Sequence, residues 1–436
     1  MTAPVEMPTA FINARLLDPA SGLDAPGALL VVNEDIADFG PQLFNDGRPA
    51  DGIEVVDLQG ACLCPGLVDM RVLLGEPGAE QLETIKSGGA AALAGGITTM
   101  VCLPNTDPMI DDVAGLEFVA RRGRELKQAK LYSYACATRE AEGREITEMG
   151  LLAKMGAVGF TDGLKSIASA KVLRRALSYA AAFDRPIIQH AEEPELAGEG
   201  VMNAGEIATR LGLSGIPREA EIIMLERDMR LVEMSGGRYH AAHVSTSESV
   251  EIIRRAKERG LKVTCDTAPH YFALTETDVG DYRTFAKVSP PLRGEMDRRA
   301  IVAGLADGTI DAIASDHIPR DADLKRLPFA QAAFGVIGLE TLLPLTLELY
   351  HKKAMSLNAA LACVTFKPAD ILRLPYGRLK KNAKADLAIF DPDTPWVVDP
   401  SKFKSKSKNS AFEDRPVQGR ALRTVVDGRT VWKREE

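Results

Sequence analysis

Eight short apolar runs alternate with longer segments of helical period between residues 62 and 314, and this alternation restricts the fold more than any other feature of the chain. The short runs have the length of buried strands, and the segments between them have the length and period of helices. Strands that alternate with helices form a parallel sheet, and eight such units close into a TIM-type (β/α)₈ barrel of the α/β class. The predicted strands are Leu63–Val68, Thr98–Cys102, Lys130–Ala135, Ala157–Phe160, Pro186–Gln189, Arg238–His243, Lys262–Cys265 and Ile310–Ala314. Glu80–Ala94 is predicted as a crossover helix, and Gly95-Gly96 would end it with a left-handed residue.

Both ends of the chain carry short strand-like runs that are punctuated by Gly, Pro, Asn and Asp, as is typical of antiparallel sheet. These runs are Thr9–Leu17, Gly27–Val32 and Ile53–Leu58 near the start, and 385–391, 421–426 and 429–433 near the end. We expect them to pair in one small flanking β-sandwich. The predicted domains are therefore 1–61 and 371–436 for the two parts of the sandwich, and 62–370 for the barrel.

Composition excludes several classes of function. The chain has 436 residues, a formal net charge of −8, 45% hydrophobic residues and six scattered cysteines. An acidic chain without a long apolar run is expected to bind neither nucleic acid nor membrane. The first residues lack a basic segment followed by an apolar run, so we expect a cytoplasmic protein with free thiols. Four lysines lie between 402 and 408; a solvated loop is the preferred interpretation, and a contact with phosphate or an acidic partner is the alternative.

Candidate site residues follow the predicted strands, because side chains at the C-terminal ends of barrel strands carry the chemistry of such folds. Four of the six histidines lie at or just beyond these ends. Neutral imidazoles and carboxylates at a barrel mouth are typical of a hydrolytic zinc site. The candidates are His190, His243, His270, His317, Asp162 and Asp316, whereas His240 and His351 are interpreted as structural.

A set of motifs gives the chain a resemblance to a known family. The motifs are Pro65-Gly66-Leu67-Val68-Asp69-Met70, Glu76-Pro77-Gly78, Gly95-Gly96-Ile97-Thr98-Thr99, Pro104-Asn105-Thr106, His190-Ala191-Glu192, His243-Val244-Ser245-Thr246, Pro290-Pro291-Leu292-Arg293, Asp316-His317, Pro328-Phe329 and Phe334-Gly335-Val336-Ile337-Gly338-Leu339-Glu340-Thr341. In this order they resemble dihydroorotases of the long bacterial class, in the amidohydrolase superfamily. Allantoinases and hydantoinases share the architecture, but the last motif favours dihydroorotase. The resemblance implies a metal-bearing barrel with a flanking sandwich, which opens or closes the dihydroorotate ring in pyrimidine biosynthesis.

The chain departs from the family pattern where the metal and the substrate are bound. The family's His-x-His-x-Arg after the first strand is matched by Arg71, Leu73 and Gly75, and Gly163 stands in the place of the metal-bridging carboxylate. Asp162 could replace that carboxylate only if its loop shifts. A substrate-contacting asparagine is matched by Ser289, and a histidine of the family by Arg320. By the same resemblance, His190 and His243 are counterparts of zinc ligands, Asp316 of the general acid/base, and Asn105 of a substrate contact.

These departures have a chemical meaning. Leucine offers a metal no lone pair, and arginine is a permanent cation that carries only donors. We therefore expect no metal cofactor, or at most one zinc ion, and we expect Arg71 to pair with Asp69 or Asp316 instead. The preferred hypothesis is a non-catalytic homologue that forms a homo-oligomer and acts as a structural or regulatory partner of aspartate transcarbamoylase, as the resemblance implies. An active dihydroorotase with a reduced metal site and a non-catalytic module that binds a pyrimidine intermediate are the two alternatives.

Overall fold

A computed structural model describes residues 7–44 and 49–435 of the chain. Within these residues the strands are β1 (Thr9–Asp18), β2 (Leu23–Val32), β3 (Asp35–Gly40), β4 (Glu54–Asp57), β5 (Cys62–Pro65), β6 (Leu67–Val72), β7 (Ile97–Cys102), β8 (Lys130–Ser133), β9 (Pro186–Gln189), β10 (Met202–Asn203), β11 (Gly215–Ile216), β12 (Arg238–Ala241), β13 (Val263–Thr267), β14 (Ala312–Ile313), β15 (Leu387–Val397), β16 (Pro416–Val426) and β17 (Arg429–Lys433).

The helices lie mainly between the barrel strands. They are α1 (Ile85–Ala94), α2 (Val113–Leu126), α3 (Met149–Lys154), α4 (Ala170–Ala181), α5 (Pro194–Ala197), α6 (Glu206–Leu211), α7 (Glu219–Ser235), α8 (Ser247–Glu258), α9 (Pro269–Ala273), α10 (Glu295–Ala306), α11 (Ala322–Arg326), α12 (Leu342–His351), α13 (Leu357–Ala362) and α14 (Phe366–Leu372). No helix in the described part of the chain is long and apolar enough to cross a membrane.

The barrel forms from two parallel sheets and the bridges between them. One sheet has the order β6-β7-β8, and the other has the order β14-β13-β12-β9. Phe160 joins them, because it bridges both Ala135 and Ile187, and a bridge between Val72 and His317 closes the circle. The predicted strand Ala157–Phe160 is thus reduced to a single bridging residue. The side chains that close the barrel are fully buried, which explains why this segment is as apolar as a strand.

Strands from both termini share one sheet, in the order β17-β16-β15-β5-β1-β2-β3, with β4 paired to β1. The predicted strand Leu63–Val68 is wrong in its bounds. Cys62–Pro65 belongs to this terminal sheet, pairing antiparallel with β15, and the first barrel strand begins at Leu67. The chain turns at Gly66, where a Cβ would lie 2.1 Å from Thr98 Oγ1. All residues on both sides are buried, so hydrophobicity alone did not reveal the break.

Local capping places the first crossover helix later than predicted. The helix begins at Ile85 instead of Glu80, because Thr84 caps it and accepts a hydrogen bond from the backbone N–H of Ser87. Its end agrees with the prediction, since Gly96 has a φ of +82°.

An ion pair joins the barrel to the terminal sheet. Lys130 Nζ, at the start of β8, lies 2.6 Å from Asp386 Oδ2 and 2.8 Å from Asp427 Oδ1.

The lysine run at 402–408 makes local contacts. Lys408 Nζ donates to the carbonyl oxygens of Phe403 and Ser405, and Lys406 Nζ donates to that of Glu80. These contacts support the interpretation of the run as a loop.

Candidate functional site

Five ionisable side chains that are far apart in sequence meet at one end of the barrel. They come from β6 or from the residues that follow β9, β12, β13 and β14, and parallel strands bring these positions to one mouth. The residues are Arg71, His190, His243, His270 and Asp316, and each is 5% exposed or less.

Arg71 is held in this group by its side chain and its backbone. Its Nε lies 2.7 Å from Asp316 Oδ1, and its Nη2 donates to the carbonyl oxygen of Gly163 at 3.3 Å. The backbone N–H of Arg71 donates to Asp69 Oδ1 at 3.2 Å. Of the two pairings expected for the guanidinium, the structure therefore confirms the one with Asp316. Its Nη1 has no hydrogen-bond partner among the described residues.

The three histidines of the group lie around this ion pair. His190 Nδ1 and His243 Nε2 are 3.1 Å apart, and His270 Nε2 lies 3.6 Å from Asp316 Oδ2. Burial holds the pKa of His243 well below its usual range, and the positive charge of Arg71 acts in the same direction. Burial likewise lowers the pKa of His270 to about 4, despite the opposing charge of Asp316. The pocket thus contains one permanent cation, Arg71, and two imidazoles, those of His243 and His270, that resist becoming cations.

Gly163 and Asn105 are in close contact. Gly163 has a φ of +69°, and a Cβ built on it would lie 1.6 Å from Asn105 Oδ1. The amide of Asn105 donates to the carbonyl oxygen of Asp162 at 3.1 Å. The side chain of Asp162 accepts hydrogen bonds from the backbone N–H and the hydroxyl of Thr138, at 2.9 and 2.5 Å. The side chain of Asp162 is therefore held by Thr138, and it does not replace the carboxylate that is missing at Gly163.

The other altered positions have local contacts of their own. Leu73 is 5% exposed and packs with apolar neighbours such as Met70. A Cβ on Gly75 would lie 2.1 Å from the carbonyl oxygen of Ala79. Ser289 is half-buried, and Arg320 Nε donates to the carbonyl oxygen of Phe334 at 2.8 Å.

His317 does not join the histidine group. Its Nε2 lies 3.4 Å from Glu83 Oε2, and the backbone N–H of Gly338 donates to its Nδ1 at 3.2 Å. His240 is similarly occupied, with Nε2 2.9 Å from Asp266 Oδ2. Glu83 is not among the residues predicted from the strand ends, because it lies inside the predicted helix Glu80–Ala94.

Glu192 is a further neighbour of the site that was not predicted, although it belongs to the motif His190-Ala191-Glu192. Its Oε1 lies 3.6 Å from His190 Nε2.

Within residues 7–44 and 49–435, no group of three or more His, Cys, Asp or Glu side chains is arranged to hold a metal ion. The rings of His190 and His243 meet edge-on, with their centroids 4.9 Å apart and an angle of 62° between their planes.

Comparison with known proteins identifies the class first. The model of the amidohydrolase family matches residues 222–432. The structure of an L-hydantoinase (dihydropyrimidinase) from Arthrobacter aurescens superposes with a TM-score of 0.87 and 25% identity, covering 99% of this chain and 97% of that one. A dihydropyrimidinase from Brevibacillus agri superposes with a TM-score of 0.85 and 20% identity, covering 98% and 95% of the two chains. Fold and matches together define a barrel-type amidohydrolase.

The family follows from the sequence relatives. The dihydro-orotase-like model matches residues 60–249. A dihydroorotase of Ehrlichia chaffeensis is 47% identical over 431 residues, covering 99% of this chain and 96% of the relative. A dihydroorotase of Pelobacter propionicus is 47% identical over 422 residues, covering 97% and 99%. This chain belongs to the dihydroorotase family of pyrimidine biosynthesis.

Proposed function

We propose that this member of the dihydroorotase family is non-catalytic and serves as a structural or regulatory partner of aspartate transcarbamoylase. The observation that supports it is the ion pair between Arg71 and Asp316, which lies among His190, His243 and His270. A guanidinium in this position supplies the positive charge that the surrounding groups would otherwise take from a metal.

The donor set does not fit a zinc ion. Arg71 repels a dication and carries no lone pair, Leu73 offers none, and Gly163 lacks a carboxylate. Asp162 is engaged by Thr138. A zinc ion lowers the pKa of its bound water by about nine units, and that water is the nucleophile in hydrolysis. A chain whose pocket cannot hold the ion therefore lacks the nucleophile for ring opening.

Turnover and metal content test the inactivity directly. We expect the purified protein, incubated with excess zinc and desalted, to retain far less than one zinc ion per chain. We also expect no ring opening of dihydroorotate, and no ring closure of carbamoyl aspartate, above the uncatalysed rate. Near-stoichiometric zinc, together with turnover that disappears in His190→Ala, would show that the protein is an active enzyme.

The partner role rests on the family resemblance and on a fully built scaffold around an altered pocket. We expect the chain to form a homo-oligomer and to bind the aspartate transcarbamoylase of the same organism. Size-exclusion chromatography of the two proteins at micromolar concentrations should give one large complex, and each protein alone a smaller species. Separate elution of the two proteins would overturn the partner role without bearing on inactivity.

An active dihydroorotase with one zinc ion is the second candidate. The approach of His190 Nδ1 and His243 Nε2 to 3.1 Å favours it, because two imidazole nitrogens this close could bind one metal ion. A module that binds a pyrimidine intermediate without turning it over is the third. Calorimetric titration with dihydroorotate and carbamoyl aspartate separates it from the first, which predicts no heat of binding.

A further inference from the structure

Three cationic side chains converge on one loop beside the barrel mouth. Lys287 Nζ donates to the carbonyl oxygens of Phe329 and Ala330, at 2.8 and 3.0 Å. Lys325 Nζ donates to the carbonyl oxygen of Ala333 at 2.8 Å. Arg320 Nε donates to the carbonyl oxygen of Phe334, the next residue, at 2.8 Å. The three cations, Lys287, Arg320 and Lys325, are called the basic cluster below.

The two lysines of the basic cluster are buried, and the cluster has no paired counter-charge among the described residues. Lys287 is 2% exposed and Lys325 is 3% exposed. In residues 7–44 and 49–435, no carboxylate oxygen lies within 4.0 Å of a side-chain nitrogen of the cluster. Asp321 is the one carboxylate that acts on Arg320, but its Oδ1 accepts the capping hydrogen bond from the backbone N–H of Leu324. Buried charges in proteins are usually paired, so this arrangement is exceptional.

The charges of the cluster act on one another. Burial, and after it the positive charges of Arg320 and Lys287, lowers the pKa of Lys325 to about 7. Burial also lowers the pKa of Lys287 to about 8. Three cationic side chains that donate to one short loop without a paired carboxylate would be stabilised by an anion placed among them.

Donors remain for such an anion. Within the described residues, Lys325 donates one hydrogen bond from its ammonium group, which has three protons. Arg320 uses only Nε, so both terminal nitrogens of its guanidinium are free of protein partners. Lys287 also lies over the ring of Phe334, with Nζ 4.6 Å from the centroid, which fixes its position.

We propose that the basic cluster binds the phosphate group of a small molecule, either free phosphate or a phosphorylated metabolite. Three cations match a dianion better than the single negative charge of a carboxylate, and an arginine fork suits two oxygens of one phosphate. None of the three residues belongs to the group of Arg71, His190, His243, His270 and Asp316, so the inference goes beyond the proposed function and does not depend on it.

Calorimetry and thermal unfolding with inorganic phosphate test the proposal. We expect phosphate at millimolar concentration to raise the Tm by about 3 °C over chloride at equal ionic strength. Lys325→Met and Arg320→Gln should each weaken the calorimetric affinity at least about tenfold, because each removes one charge-assisted contact. Arg326→Gln is the matched control, since Arg326 lies next to Lys325 but its side chain is 79% exposed.

A phosphomonoester distinguishes the two sources of the phosphate group. Glucose 6-phosphate that binds as tightly as inorganic phosphate would assign the site to a phosphorylated metabolite, and binding of inorganic phosphate alone would assign it to the free ion. A Tm that responds equally to phosphate and chloride would overturn the proposal. An equal loss of affinity in Arg326→Gln would overturn it too. Arg320→Gln keeps the test valid if Lys325→Met does not fold, because Arg320 is only partly buried.

Discussion

Arg71 Nε and Asp316 Oδ1 are 2.7 Å apart, and each side chain is 3% exposed. The two residues are 245 positions apart in the sequence, and they meet because the bridge between Val72 and His317 closes the barrel. We expect Arg71→Met to lower the free energy of unfolding by about 3–5 kcal/mol, because it leaves a buried carboxylate unpaired. Urea denaturation measures the change.

The double variant Arg71→Met/Asp316→Asn is the control for this pair. It removes both charges, and asparagine tolerates the φ of +50° that Asp316 adopts. We expect the double variant to be more stable than Arg71→Met alone. An unchanged stability in Arg71→Met would show that the ion pair contributes nothing to the fold.

Gly163→Ala tests the contact with Asn105. Its φ of +69° and the 1.6 Å approach to Asn105 Oδ1 both oppose a side chain. The matched control is Gly212→Ala, where φ is +67° and nothing lies within 4 Å of the added Cβ. We expect Gly212→Ala to cost about 1–2 kcal/mol from backbone strain alone, and Gly163→Ala to cost about 1–3 kcal/mol more. Equal losses in thermal or urea unfolding would contradict the proposed clash.

The buried histidines predict a fall in stability at acidic pH. The folded-state pKa of His270 is about 4, and the unfolded value is about 6.5. Between pH 4 and 6.5 the unfolded state therefore binds more protons than the folded state. The contribution of His270 to the free energy of unfolding is fully present above pH 6.5, and it is lost as pH falls toward 4. The shift corresponds to about 3 kcal/mol.

Unfolding in urea at a series of pH values measures this loss. His270→Gln should fall less steeply between pH 6.5 and 4 than the wild-type protein, because it removes one buried group that must be protonated on unfolding. His351→Gln is the control, since His351 is partly exposed. Parallel curves for wild type and His270→Gln would refute the assignment.

Lys130 is expected to stabilise the junction between barrel and terminal sheet. Lys130→Met leaves Asp386, whose side chain is 5% exposed, without its partner. We expect a loss of about 3 kcal/mol in the free energy of unfolding. The exposed pair of Lys384 and Glu34 gives the control, because Lys384→Met should cost less than about 1 kcal/mol. Similar losses in the two variants would show that burial does not strengthen the Lys130 contact.

The strand pattern predicted most of the barrel, because a parallel strand that is buried on both faces is continuously apolar. Pro186–Gln189 agrees with β9 at both ends. The pattern failed where burial did not change along the chain. It ran Cys62–Pro65 into the first barrel strand, and it extended Phe160 into a strand that the structure reduces to a bridge.

The site was predictable in its members but not in its arrangement. Residue types alone placed His190, His243 and Asp316 at strand ends, and they showed that Arg71, Leu73 and Gly163 lack metal-binding groups. Only the closed barrel decided that Arg71 pairs with Asp316. It also decided that Thr138 engages Asp162 and that His317 faces Glu83.

The basic cluster shows the same division. The sequence by itself determined which charges exist and that the fold is a barrel, because both depend on residue type and on local period. Whether a charge is paired depends on neighbours that are distant in sequence. Lys287, Lys325 and Arg320 donate to one loop only in the folded chain. Burial there strengthens the interaction between their charges, and no local sequence pattern predicts that interaction.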